Sequence, residues 1–266
     1  MKVHLFCIDP QRDFCEPSGN GAGALFVSGA DDDMARLADF VLRCSSKLDD
    51  IHITLDSHHP VHIAHPIWWR NSNGDQPSPF SIISVNDVET GKWMATQPGL
   101  QRHSLDYVKQ LDKNGRYPLC VWPVHCRISS PGHTVVPVLF DALCKWEEEF
   151  AIVDYVTKGS NIKTEHYSIF QADVPDPKDP STQVNTALVQ TLMTADLVAV
   201  AGEAGSHCLA NSIRDLAGLC PDIVKKLVLL TDATSPVPGS EKLQEDFIKE
   251  MTAKGMQLST TDKFLR

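Results

Sequence analysis

Apolar positions along the chain fall into short, nearly continuous runs separated by segments of helical period. Val3 to Ile8 is one such run, ending at Asp9 and Pro10. Asp50 to Leu55, FAIVDYVTK at 150–158, Leu197 to Ala201 and KLVLLT at 226–231 are others. Runs of this length without polar alternation predict strands buried on both faces. Between them, Asp31 to Leu48 carries Met34, Leu37, Ala38, Val41 and Leu42 at helical spacing behind an Asp cluster suited to capping. Val135 to Glu149, Thr182 to Thr194 and Glu241 to Gly255 read as further helices, and Leu119 to Val124 as a short strand or extended segment that delivers His125. Strands alternating with helices predict an α/β fold, a parallel sheet with helices on both faces.

The pattern fails between Pro66 and Pro118, where Pro, Gly, Asn, Ser and Gln accumulate. This stretch reads as a surface insert, with one helix at Ser104 to Leu111, within a single domain spanning 1–266. At 266 residues and 42% hydrophobic content the chain can bury the core such a domain needs. The net charge of −10 provides no basic patch, so neither nucleic acid nor a membrane is an expected partner; a homo-oligomer is left open. Eight cysteines lack zinc-finger or disulfide-framework spacing, and the first apolar run is too short for a signal peptide or a membrane span. A reduced, cytoplasmic setting is expected.

Chemistry concentrates where strands end, the place where an open parallel sheet binds ligands. In ADLVAVAGEAGSHCLANSIRDL, an apolar run meets Gly202 and Gly205, then Cys208, then Leu209, Ile213 and Leu216 at helical spacing. A cysteine at a helix N-terminus is expected to favour thiolate and to have amide N–H groups nearby for an oxyanion; the alternative is a small buried core residue. Asp9, Asp56 and Lys158 close the runs before it. A carboxylate can take the thiol proton, and a lysine can stabilise both anions. Taken singly, Asp9 also reads as a turn former and Lys158 as a solvated strand end. Asp56 and His58 alternate by two and share one side, and with His125 they would suit a divalent ion such as zinc with open positions for water or substrate. A histidine-rich surface loop with no metal fits the same residues, since His59, His62 and His65 crowd the stretch.

These residues together resemble the nicotinamidase branch of the isochorismatase-like cysteine hydrolases. CIDPQRDFC resembles the opening segment, which makes Asp9 the catalytic base and Phe14 an aromatic pocket wall. DSHH and WPVHC resemble the two metal segments, assigning Asp56, His58 and His125 as ligands and Trp122 to the pocket. KGSNIKTEHYSIF resembles the segment of the catalytic Lys158 and a pocket Tyr167. AGEAGSHC resembles the nucleophile segment; a cis peptide before Ala204 and the amide of Cys208 would then form an oxyanion hole, with His207 lining the pocket. The resemblance implies a three-layer fold around a six-stranded parallel sheet. It further implies a zinc-dependent amidohydrolase acting on a small carboxamide, nicotinamide first. Hydrolysis of another small amide or an isochorismate-like substrate, or a non-catalytic metal- or ligand-binding role, are the alternatives. The sequence departs from the family at Ser57, where tryptophan is usual, at His59, inserted before Pro60, at Glu203, where an apolar residue is usual, and in its longer insert. The choice among His58, His59 and His62 stays open.

Overall fold

The computed structural model describes residues 1–19, 21–115, 117–149 and 151–266. Asn20 of the first loop, Arg116 of the insert and Phe150, the first residue of a sequence-predicted strand, lie outside the described residues. Six parallel strands form the central sheet: β1 Val3–Ile8, β2 Asp50–Asp56, β3 Asp154–Lys158, β4 Leu197–Gly202, β5 Leu227–Leu230 and β6 Gln257–Ser259. Their spatial order is β3-β2-β1-β4-β5-β6, so the chain reverses its direction of travel across the sheet between β1 and β4. Every residue of β1 and all but the first of β4 are buried, which requires cover on both faces of the sheet.

The helix Ala30–Cys44 supplies part of that cover, burying Met34, Leu37, Ala38, Phe40 and Val41 and packing on the helix Pro137–Glu147. Leu42 does not join the buried stripe and is 43% exposed. Asp31, Asp32 and Asp33 lie in the first turn, where they complement the helix dipole, but none caps it; the N-cap is Gly29 at φ +95°. The helices Thr186–Met193, Cys208–Leu219 and Glu241–Ala253 complete the shell. No helix among the described residues is long and apolar enough to cross a membrane.

One expectation needs correction. FAIVDYVTK does not make a buried strand: β3 is an edge with a neighbour on one side only, most of its residues are exposed, and Ile152, before it, is 83% exposed. Leu119–Cys120 is a short strand, as expected, and pairs antiparallel with Ile82–Ile83 outside the central sheet. The sixth strand, Gln257–Ser259, is too short and too exposed to show an apolar run.

The 66–118 insert is more regular than its composition suggests. Trp69–Arg70 pairs with Met94–Ala95, Ser84 and Asp87 form a capping box on the helix Val85–Glu89, and a longer helix covers Gln101–Asn114. Two tryptophans dock it. Trp69 is fully buried and donates to the Ile63 carbonyl at 2.7 Å, while Trp68 donates to Ser104 Oγ at 3.0 Å.

Candidate active site

Strand register brings the functional groups together. Asp56 and Lys158 are direct partners across β2 and β3, and Ile8, just before Asp9, is the partner of Gly202. The Lys158 ammonium lies 3.0 Å from Asp9 Oδ2, 3.0 Å from Asp56 Oδ1 and 3.6 Å from Cys208 Sγ. Asp9 takes a left-handed conformation at φ +46°, its amide donates to Thr54 Oγ1 at 2.9 Å, and the Thr54 hydroxyl donates back to its carboxylate. Gly202, at φ +108°, lets β4 turn away beside this carboxylate, because a β-carbon there would lie 2.1 Å from the Ile8 carbonyl oxygen.

Burial opposes the Lys158 charge, but the two carboxylates outweigh it and hold the amine well above its ordinary value, so it is an ammonium. Burial also raises Asp9; Lys158 opposes that rise and Asp56 adds to it. Asp56 goes the other way, because the His58 imidazole and Lys158 together overcome burial and hold it well below the carboxylate range.

Cys208 opens the helix Cys208–Leu219, as its sequence context suggested. The resting thiolate expected there is not what this environment favours. Burial pushes the thiol well above its usual range, Lys158 pulls it back only in part, and Asp9 and Asp56 add to the rise. A helix N-terminus favours an anion by a modest amount, and desolvation outweighs it here. The sulfur therefore keeps its proton until a base takes it, and Asp9 touches the same ammonium. The Glu203–Ala204 peptide is cis. Among the described residues the amides of Ala204 and Cys208 donate to no other group, while those of His207 and Leu209 both bond the Ala204 carbonyl. Both residues line the same cavity, and unengaged N–H groups are the kind of donor an oxyanion requires.

Asp56, His58 and His125 present ligand atoms within 4.8 Å of one another, all three residues buried. The His58 Nδ1 faces the Gly159 carbonyl at 3.1 Å and the His125 Nδ1 faces the Pro123 carbonyl at 2.8 Å. With Nδ1 at a carbonyl, each ring turns Nε2 toward Asp56 Oδ2, at 2.8 and 3.3 Å, the atom that would ligate an ion if it gave up its proton. His58 Nε2 is buried, and Asp56 Oδ2 is the partner it meets there. His59 is exposed, and His62 has both nitrogens engaged, with Thr164 O at 3.0 Å and the Ala64 amide at 3.2 Å. Of the three histidines the sequence left open, only His58 is grouped with Asp56 and His125.

These groups edge a cavity lined by Phe14, Trp122, Tyr167, Ala204, His207 and Cys208 together with Asp56, His125 and Lys158. Asp9 and His58 stand behind that surface. The Trp122 indole donates to the Tyr167 hydroxyl at 2.9 Å, and the His207 ring, its pKa lowered to about 4 by burial, is neutral. Glu165, Leu25, Val27 and Val237 also line the cavity and were not singled out in the sequence. Glu165 had a signal, since it sits two residues before Tyr167 in an extended segment. The three apolar residues lie in irregular loops, where no periodicity marks them.

No protein-family model matches the chain, and no curated protein matches it in sequence. Its fold is that of solved nicotinamidases and pyrazinamidases. The yeast nicotinamidase Pnc1p aligns over 96% of this chain and 98% of its own with TM-score 0.65 and 19% identity. A nicotinamidase/pyrazinamidase from Acinetobacter baumanii aligns over 99% and 98% with TM-score 0.64 and 19% identity. A zinc complex of the pyrazinamidase of Pyrococcus horikoshii aligns over 98% and 99% with TM-score 0.55 and 18% identity. The six-stranded α/β architecture implied by the sequence resemblance is thus the one observed.

Proposed function

We propose that the protein is a metal-dependent cysteine amidohydrolase that converts a small ring carboxamide, nicotinamide first, to the carboxylate and ammonia. The observation that carries this reading is one buried ammonium, Lys158, in contact with Asp9, Asp56 and Cys208 beside an aromatic-lined cavity. The names of the structural neighbours agree with it, including yeast Pnc1p bound to the inhibitor nicotinaldehyde and a zinc complex.

In this reading Asp9 accepts the Cys208 proton as the sulfur attacks the amide carbon, and the amides of Ala204 and Cys208 hold the resulting oxyanion. Asp9 then passes the proton to the amide nitrogen, the C–N bond breaks, and ammonia leaves a thioester. Water attacks next, giving a proton to Asp9; the C–S bond breaks and the thiol is restored as the acid departs. Lys158 holds both carboxylates in place throughout and favours the charged form of Asp9 between proton transfers. Phe14, Trp122 and Tyr167 clasp the flat ring, and His207 closes its edge. Asp56, His58 and His125 would hold a divalent ion, zinc being the best match to one carboxylate and two imidazoles, and that ion would supply a Lewis-acid site for a ring nitrogen or water. All eight cysteines are free, in keeping with work in a reducing, cytoplasmic setting.

The test is ammonia release from nicotinamide, pyrazinamide and benzamide by the metal-loaded protein. The two ring-nitrogen amides are expected to exceed benzamide in kcat/KM by about 10²-fold or less, because water can refill the vacated position. Metal removal should abolish the difference. Equal rates on benzamide, or turnover of aliphatic amides alone, would contradict the nicotinamide assignment.

A further inference from the structure

The cavity over Cys208 has a volume of only about 30 Å³. The cavity is narrow, so a substituent on a ring held over Cys208 must leave through its wall. Next to it lies an outer chamber of about 260 Å³ lined by Leu25, Phe26, Val27, Phe80, Val237 and Pro238. Leu25, Val27 and Val237 line both spaces and form their common wall. The three are not held equally. The amides of Leu25 and Val27 bond the carbonyls of Asp13 and Phe14 at 3.0 and 2.8 Å, tying them to the segment behind the pocket. Val237 is half-buried; its amide donates to the Ser206 hydroxyl at 3.0 Å and its carbonyl accepts the Ser240 amide at 2.9 Å within its own loop, and the prolines on either side of it have no N–H to donate, so no backbone hydrogen bond ties it to the segment behind the pocket.

The far wall of the chamber comes from the insert. Phe80 is 57% exposed, takes φ +68°, and stands edge-on to Trp122 with ring centroids 5.8 Å apart. A bulky residue rarely adopts that conformation; here its amide is held by the Val121 carbonyl, which fixes the ring over the chamber. None of the chamber's six side chains carries a charge or a hydrogen-bonding group.

We propose that this chamber is an apolar subsite of the active site, opened by displacement of Val237, and that the protein takes ring carboxamides bearing an alkyl substituent. The assignment rests on the amidase reading above, since the carboxamide must lie at Cys208. The wall on the chamber side offers only hydrocarbon, so the part of a substrate that crosses it is apolar. Phe80 then belongs to substrate selection.

Two measurements test this. The first needs no amide hydrolysis: Cys208 is alkylated with iodoacetamide or its N-hexyl derivative, and the rates are read by peptide mass spectrometry. The hexyl reagent is expected to label at least as fast as iodoacetamide, and Val237→Trp should lower the hexyl-to-parent ratio about tenfold. Phe80→Asp, at an exposed position that tolerates substitution, places a carboxylate against the chain and should lower the ratio in the same direction. A ratio unmoved by both substitutions overturns the subsite. The second compares kcat/KM for nicotinamide with 5- and 6-butylnicotinamide. Turnover of either butyl amide at or above the rate for nicotinamide, with the preference reduced about tenfold by Phe80→Asp, supports the subsite. Hydrolysis of nicotinamide with neither butyl amide accepted overturns it and leaves the amidase reading intact. If no amide is hydrolysed, the amidase reading fails, and the labelling ratio alone upholds or overturns the chamber.

Discussion

Strands β1, β2 and β3 carry a cluster of ionisable side chains at each end, and the two clusters behave differently. At the amino end, His4 and His52 are buried side by side, with His52 Nε2 3.1 Å from His4 Nδ1. Each remaining ring nitrogen meets a carboxylate, Asp154 at 2.9 Å for His52 and Asp50 at 3.0 Å for His4. Those carboxylates are 51% and 40% exposed, so water shares their charge. At the carboxyl end, Asp9 and Asp56 are buried and share one buried lysine. There the groups also border a cavity and approach the Cys208 thiol and two imidazoles. Burial of ionisable side chains is common to both ends. What separates a site from a structural network is that the carboxyl-end groups converge on space a substrate can occupy, next to a sulfur that can react.

The most disruptive way to test this contrast is Lys158→Ala. It leaves two carboxylates buried without their cation, so a loss of about 3–5 kcal/mol in urea unfolding is expected, together with a loss of activity of at least about 10³-fold. His52→Ala at the other end should reduce stability and leave turnover within about threefold of wild type. Comparable activity losses from both variants would remove the distinction between the two ends.

Metal content offers the next test. Asp56→Ala and His125→Ala should each empty the ion site in metal analysis, while His4→Gln and His52→Ala retain it. Full occupancy in both carboxyl-end variants would place the ligands elsewhere in the histidine-rich segment. Because such a site keeps positions open for substrate, chelation is expected to impair turnover without unfolding the domain.

The smallest effect concerns acid. Burial, with His52 beside it, lowers the His4 pKa from its ordinary 6.5 to about 4, against the pull of Asp50. The folded value lies below the unfolded one, so between pH 6.5 and 4 the unfolded chain binds the extra proton. Stability contributed by neutral His4 is whole above that window and declines as pH falls through it. His4→Gln should flatten the fall of Tm over that range and leave the pH dependence of turnover unmoved. A curve as steep as wild type would show that His4 takes no part in acid unfolding.

Much of this arrangement was legible in the residues because burial on both faces writes itself as unbroken apolar runs. β1 and β4 are of this kind, and Asp9 and Cys208 could be placed by reference to them. β3 misled because an edge strand needs no apolar run, and β6 was missed because three residues carry no period. Spacing could not choose among His58, His59 and His62; the choice depends on which ring nitrogens bond to backbone carbonyls brought from Gly159 and Thr164. The helix N-terminus at Cys208 was visible, but the depth of its burial was not, and that reversed the expected state of the thiol. Leu25, Val27 and Val237 reach the cavity through loop conformations that no local pattern encodes. Glu203, out of place for the resemblance, turns inward to accept the Ser235 amide at 3.1 Å, and burial, with Asp33 nearby, raises its pKa well above the carboxylate range.

The central claim is that Cys208 forms the acyl bond. A single turnover of metal-loaded protein with nicotinamide, quenched in acid and mapped by mass spectrometry, addresses it directly when paired with steady-state ammonia release by Cys208→Ala. The expected result is a nicotinoyl group on the Cys208 peptide of the wild type, and a folded variant slower by at least about 10³-fold that carries no adduct. Ammonia release by Cys208→Ala within about tenfold of wild type, or an acyl group on any other residue, would contradict it.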